Sequence, residues 1–117
     1  MARPHHRLDA WQKSIQLVKR IYEATANFPA EEKFGLVSQM RRSAVSIPSN
    51  IAEGAARNSK KEFNNFLHIA QGSASELETQ VFISRELEFL NQELSNQLSQ
   101  DLEDISKMIV GLQRSLK

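Results

Sequence analysis

The sequence predicts an all-α fold, an antiparallel up-down-up-down bundle of four helices. Three observations predict it. Apolar residues recur at three- and four-residue intervals through most of the chain. Polar or acidic helix-start signals precede the periodic runs. Only 4 glycines and 3 prolines interrupt 117 residues, too few for a turn-rich β fold. Short connections make sequential helices antiparallel. The chain reads as a single domain over residues 1–117, with residues 1–8 as a flexible N-terminal tail.

The first helix is expected to start at Asp9, which with Gln12 fits a capping box. Trp11, Ile15, Val18 and Tyr22 form its inward stripe, flanked by Leu8 and Ile21. It ends near Ala26 or Asn27, because the residue before Pro29 is pushed away from helical geometry. The second helix starts around Ala30-Glu31-Glu32, where acids suit the positive end of the helix dipole. It buries Leu36, Met40, Ala44, Ile47 and Ile51 and stops at Gly54. Pro48 lies inside it, removes one backbone donor, and is expected to kink or interrupt it.

Ser59 and Glu62 make a capping box at the start of the third helix. Its stripe of Phe63, Phe66, Leu67, Ala70, Ala74, Leu77, Val81 and Leu87 continues to about Leu90. That is a helix of roughly 45 Å, and one end is expected to project or meet another subunit. Asn91 caps the fourth helix. Leu94, Leu98, Leu102, Ile105, Ile109, Leu112 and Leu116 follow a spacing close to a coiled-coil seam.

Composition excludes several functions. The chain is 40% hydrophobic and 25% charged, ordinary for a soluble globular protein. It has no cysteine, hence no disulfide scaffold, thiolate zinc site or cysteine nucleophile. Cysteine's absence also favours a reducing compartment. No apolar run approaches the ~20 residues that span a bilayer, and no apolar signal region follows the basic start. A cytoplasmic protein without a membrane partner is expected.

A di-iron bundle needs Glu-x-x-His pairs, and none of His5, His6 and His68 has a glutamate three residues before it. There is no phosphate-binding glycine loop and no Gly-x-Ser-x-Gly turn. Glu76 and Glu78, two positions apart, point to different faces. No catalytic residue, metal site, cofactor or small-molecule substrate is expected, and the chain does not read as an enzyme.

Charge is divided unevenly. Residues 1–62 hold 11 Lys and Arg against 6 Asp and Glu, a balance of +5, while residues 63–117 hold 4 against 8, a balance of −4. Either the halves neutralise each other within one bundle, or they meet partners, an anion on the first half or a copy of the same chain packed basic face to acidic face. Candidate phosphate contacts are Arg41 and Arg42, with Arg7, Lys13, Arg20, Arg57, Lys60 and Lys61 as auxiliaries. No stacking aromatic motif is interleaved, so base-specific reading is not expected. Arg42, Asn50, Glu53, Ser73 and Glu76 fall near apolar faces and form a candidate polar core, with Arg42 pairing Glu76 or Glu53. The alternative is a scaffold that docks a basic partner on Glu86, Glu88, Glu93, Asp101 and Asp104 of the third and fourth helices.

One run stands out: Gln39-Met40-Arg41-Arg42-Ser43-Ala44 through Ser46-Ile47-Pro48-Ser49-Asn50-Ile51-Ala52-Glu53-Gly54. It resembles the signature of the bacterial four-helix bundle family encoded by intervening sequences in 23S ribosomal RNA genes. Trp11, Tyr22 with Phe28-Pro29, Phe34-Gly35-Leu36, Phe63 with Phe66-Leu67, Gly72-Ser73 and Glu76-Leu77-Glu78-Thr79-Gln80 extend the likeness over about residues 8–116. The resemblance implies a bundle that assembles as a ring-like homopentamer. It also implies kinship with the accessory variability determinant of diversity-generating retroelements, a basic pentamer that binds nucleic acid and associates with a reverse transcriptase. With a net charge of +1, the present chain departs from those strongly basic relatives. RNA or ribonucleoprotein binding is therefore expected only at a local basic surface.

Overall fold

In the computed structural model, which describes residues 3–117, the chain forms α1 (Asp9–Thr25), α2 (Leu36–Ala55), α3 (Lys60–Glu86) and α4 (Gln92–Ser115). The described residues contain no strand. α1 packs on α2 and α4, and α3 packs on the same two, which closes an up-down-up-down bundle. The bundle measures 43 × 23 × 23 Å. The 27 residues of α3 span about 40 Å, nearly the whole length of the bundle, beside the 24 residues of α4. Two 3-10 turns, Pro4–Arg7 and Ala30–Glu32, precede α1 and α2. The first falls in the segment expected as a flexible tail. The starts of α1 and α3 share one end of the bundle, here the proximal end, with the finishes of α2 and α4.

The core follows the expected pattern on α2 and α4. Met40, Ala44, Ile47 and Ile51 meet Leu98, Leu102, Ile105 and Ile109 at the centre, with Leu67, Leu77 and Val81 of α3. α1 differs. Its buried residues are Ala10, Ser14, Leu17, Ile21 and Thr25, one position before the predicted Trp11, Ile15, Val18 and Tyr22, a rotation of about 100°. Ser14 and Thr25 can be buried because each hydroxyl donates to a carbonyl of its own helix, Trp11 O at 2.8 Å and Ile21 O at 2.7 Å. Trp11 and Val18 of the predicted stripe pack against the edge of the core, half-buried. Ile15 and Tyr22 stay 43% and 42% exposed.

Helix ends correct four expectations. Leu8, not Asp9, is the N-cap of α1, and no side-chain cap forms there. Residues 30–32 form the 3-10 turn, and α2 begins only after Gly35. α3 stops at Glu86, because Glu88 adopts a left-handed φ of 65° and the Phe89 N–H closes on Ser84 O at 2.8 Å. Leu87 is left exposed, whereas Leu90 is buried and Phe89 packs on Phe28, 5.4 Å between centroids. Gly54 lies inside α2, not past its end. A Cβ there would stand 2.8 Å from Phe66 Cβ and 2.9 Å from Phe63 Cδ1, so glycine is what lets α2 and α3 touch.

The helix continues through buried Pro48 without interruption. The expected caps at Ser59 and Asn91 are present, their side chains accepting from the N–H of Glu62 at 3.1 Å and of Leu94 at 2.8 Å. α2 and α3 share the most extensive contact in the bundle. Between α3 and α4, by contrast, an outer groove of about 720 Å³ opens where Ser95, Ser99 and Ser106 face Phe82 and Arg85.

Candidate nucleic-acid interface

The eight basic candidates sort by what they touch. Lys13 and Arg20 lie on the α1 face turned to α4. Lys13 Nζ is 3.7 Å from Asp101 and 3.5 Å from Asp104, and Arg20 donates to Asp101 Oδ2. Asp101 is buried. These cations neutralise acids of the second half from within, which is the plainer of the two readings of the charge division.

Arg41 is also engaged internally. Its Nε donates to Thr25 Oγ1 at 3.0 Å and its Nη2 to Tyr22 O at 3.2 Å, with the guanidinium 4.4 Å from the Tyr22 ring centroid. A cation at the carbonyl end of α1 complements that helix's dipole. Arg57 sits beside Glu53 at 2.6 Å and Glu62 at 3.9 Å, over Phe66. Arg42 is exposed and makes no ion pair among the described residues. The expected pairing of Arg42 with Glu76 or Glu53 is not formed. Ser43, one residue on, faces α3 and donates to Glu76 Oε1 at 2.8 Å, while Glu53 takes Arg57. Arg42, Glu53 and Glu76 are all exposed, so they form no buried core. Ser73 shares a 2.8 Å hydrogen bond with Ser46, whose carbonyl accepts from Asn50 Nδ2 at 2.8 Å.

Arg7, Lys60 and Lys61 are exposed at the proximal end and lie in no ion pair among the described residues. The topology brings the last turn of α4 to the same end, as the groove shared by Arg7, Met108 and Ser115 shows. Arg114 and Lys117 thereby join the basic end. Sequence reading missed them because they belong to the acidic half, although an antiparallel fourth helix must finish beside the starts of α1 and α3. The distal end is acidic, with Glu31 and Glu32 before α2 and Glu86, Glu88 and Glu93 around the turn into α4. Charge is therefore separated along the long axis, not simply between halves.

His5 and His6 pack against Trp11 at the proximal end, with centroids 5.0 and 4.9 Å from it. Partial burial, then the nearby His6 and Arg3, hold the His5 pKa below its ordinary value. No cluster of three or more His, Asp or Glu side chains that could hold a metal occurs among the described residues. None of the described helices is long and apolar enough to cross a membrane.

No curated protein matches the chain. Among solved structures it is similar to a crystal structure of a protein of unknown function from the S23 ribosomal protein family of Bacteroides thetaiotaomicron. The two share 27% identity and a TM-score of 0.81 over 90% of this chain and 98% of that one. A family model described as 23S rRNA-intervening sequence protein matches residues 6–111. With four helices in the same arrangement and the residue 39–54 signature inside the matched span, the chain belongs to the 23S rRNA-intervening sequence protein family.

Proposed function

We propose that this protein is a non-enzymatic homo-oligomer, a ring-like pentamer as the resemblance implies, that binds structured RNA or a ribonucleoprotein through the proximal end of its bundle. The observation that carries this reading is the convergence of Arg7, Lys60, Lys61, Arg114 and Lys117 on one end. Such an end attracts a polyanion and points it away from the acidic opposite end. Lys13, Arg20 and Arg41 are assigned structural roles and contribute little to binding.

The test is affinity of the purified oligomer for ribosomal RNA fragments as salt is raised. Five neutralised phosphates, one for each of the cations converging on the proximal end, predict a loss of roughly 130- to 500-fold between about 50 and 200 mM salt. Lys60→Glu with Lys61→Glu should flatten that dependence and leave the fold intact. Absence of binding at low salt refutes the reading. It would favour the scaffold alternative, in which Glu86, Glu88 and Glu93, joined by Glu31 and Glu32, dock a basic protein. In that alternative Asp101 and Asp104 are unavailable, since Lys13 engages both and Arg20 also holds Asp101.

A further inference from the structure

Two apolar stripes lie outside the core. One follows the seam between α1 and α2, with Ile15 and Tyr22 from α1, Val45 from α2, and Phe34, which is 89% exposed. The groove of about 530 Å³ along this seam carries Lys33, Arg41 and Arg42 and no acid. The other stripe runs along α3. Ile69, Glu76 and Ile83 recur every seven positions and Leu87 follows one turn on, so all four share one line of the helix. Ile69, Ile83 and Leu87 are exposed, with Glu76, Glu86 and Glu88 around them; Glu86 also meets Arg85 at 3.4 Å, whose guanidinium lies over Phe82 on the α4 side.

The stripes flank α2 on opposite sides. The first lies toward α1, whereas the second lies toward α3, where Glu76 meets Ser43. One chain cannot fold one stripe onto the other. Arg42 and Glu76, expected to pair within the chain, have no ionic partner there among the described residues. Exposed apolar side chains grouped along a helix and rimmed by charge mark an interaction site, and the rims are of opposite sign.

We propose that the α1–α2 seam of one copy docks on the α3 stripe of a second copy, with Arg42 opposite Glu76. The proposal rests on the homo-oligomer reading and assigns its contact faces. Pairing each stripe with itself would oppose Lys33, Arg41 and Arg42 to their own copies, or three glutamates to theirs, and like charges across an interface are strongly unfavourable. Pairing unlike stripes is heterologous, and such a contact repeats from copy to copy until rotation closes a ring.

The test uses two full-length variants, Phe34→Asp and Ile83→Asp with Leu87→Asp, all at exposed positions outside the core. Circular dichroism checks the fold, and light scattering reads mass. Each variant alone should fall to the single-chain 13.3 kDa. Mixed in equal amounts, each supplies the face the other lacks, so a heterodimer of twice that mass should form and grow no further. A wild-type chain that stays monomeric overturns the oligomer reading itself. A wild-type oligomer whose mass survives in either variant overturns the assignment of faces. Variants that are monomeric both alone and mixed overturn the heterologous pairing.

Discussion

Replacing Gly54 with alanine puts a methyl group where α2 crosses α3. It would stand 2.8 Å from Phe66 Cβ, 2.9 Å from Phe63 Cδ1 and 3.2 Å from Phe63 O. Two of those atoms are fixed to the α3 backbone, so a rotamer change cannot relieve the contact and the helices must move apart. Overpacking of this kind costs about 1–3 kcal/mol. Alanine in a helix interior returns about 1 kcal/mol relative to glycine. Two contacts fall under 3.0 Å, which puts the clash in the upper half of that range, about 2–3 kcal/mol, so Gly54→Ala should destabilise by about 1–2 kcal/mol, or roughly 4 °C in Tm per kcal/mol. Gly111, inside α4, meets nothing within 4 Å. Gly111→Ala should therefore stabilise by up to about 1 kcal/mol. Urea unfolding of both variants at one protein concentration compares them with self-association held constant. A Gly54→Ala chain as stable as the parent would refute the close-crossing argument, and Gly111→Ala guards against a general effect of alanine.

Asp101→Asn should cost about 1–2 kcal/mol, since it abandons Lys13 and Arg20 at a buried carboxylate, although Arg20 is half exposed and screened; an unchanged urea midpoint would count against it. Arg41→Ala should lower stability by about 1 kcal/mol while leaving RNA affinity unaltered. Arg41→Lys should not rescue it, because lysine lacks the fork that reaches both Thr25 and Tyr22. Because the folded state favours neutral His5, its contribution is present above the ordinary value of 6.5 and is lost as pH falls below it. Emission from Trp11, the single tryptophan, should change over that acid range as the packing loosens, and constant emission to about pH 5 would refute the coupling.

The bundle was legible in the sequence because its long helices carry regular apolar spacing and two of them open on unambiguous caps, Ser59 and Asn91. The face of α1 was misread because periodicity weighs large side chains. Trp11 and Val18 pack against the edge of the core, but the buried centre of the face is Ala10, Ser14, Leu17, Ile21 and Thr25, where the polar Ser14 and Thr25 are invisible to a pattern of large apolar residues. Gly54 was misread for a related reason: its value lies in what α3 places against it, and a local rule sees only a helix stop. Among the basic candidates, residue type was readable and engagement was not. Lys13 and Arg20 meet acids far along the chain, and Arg114 and Lys117 reach the basic end only through the antiparallel return of α4.

The serine-lined groove between α3 and α4 bears on how the molecule opens. Ser95, Ser99 and Ser106 leave an open groove at that seam, and α3 packs less extensively on α4 than on α2, so α4 is the helix with the weaker hold on α3. Amide protons should accordingly exchange in an order set by packing. The amides of α4 should lose protection in a partial opening that leaves the α2–α3 hairpin closed, and those around Met40, Ile47, Ala70 and Leu77 should exchange only when the whole chain unravels. Because Arg114 lies on α4 and Lys117 just past its end, that same partial opening would dismantle one side of the cationic end while its neighbours stay folded.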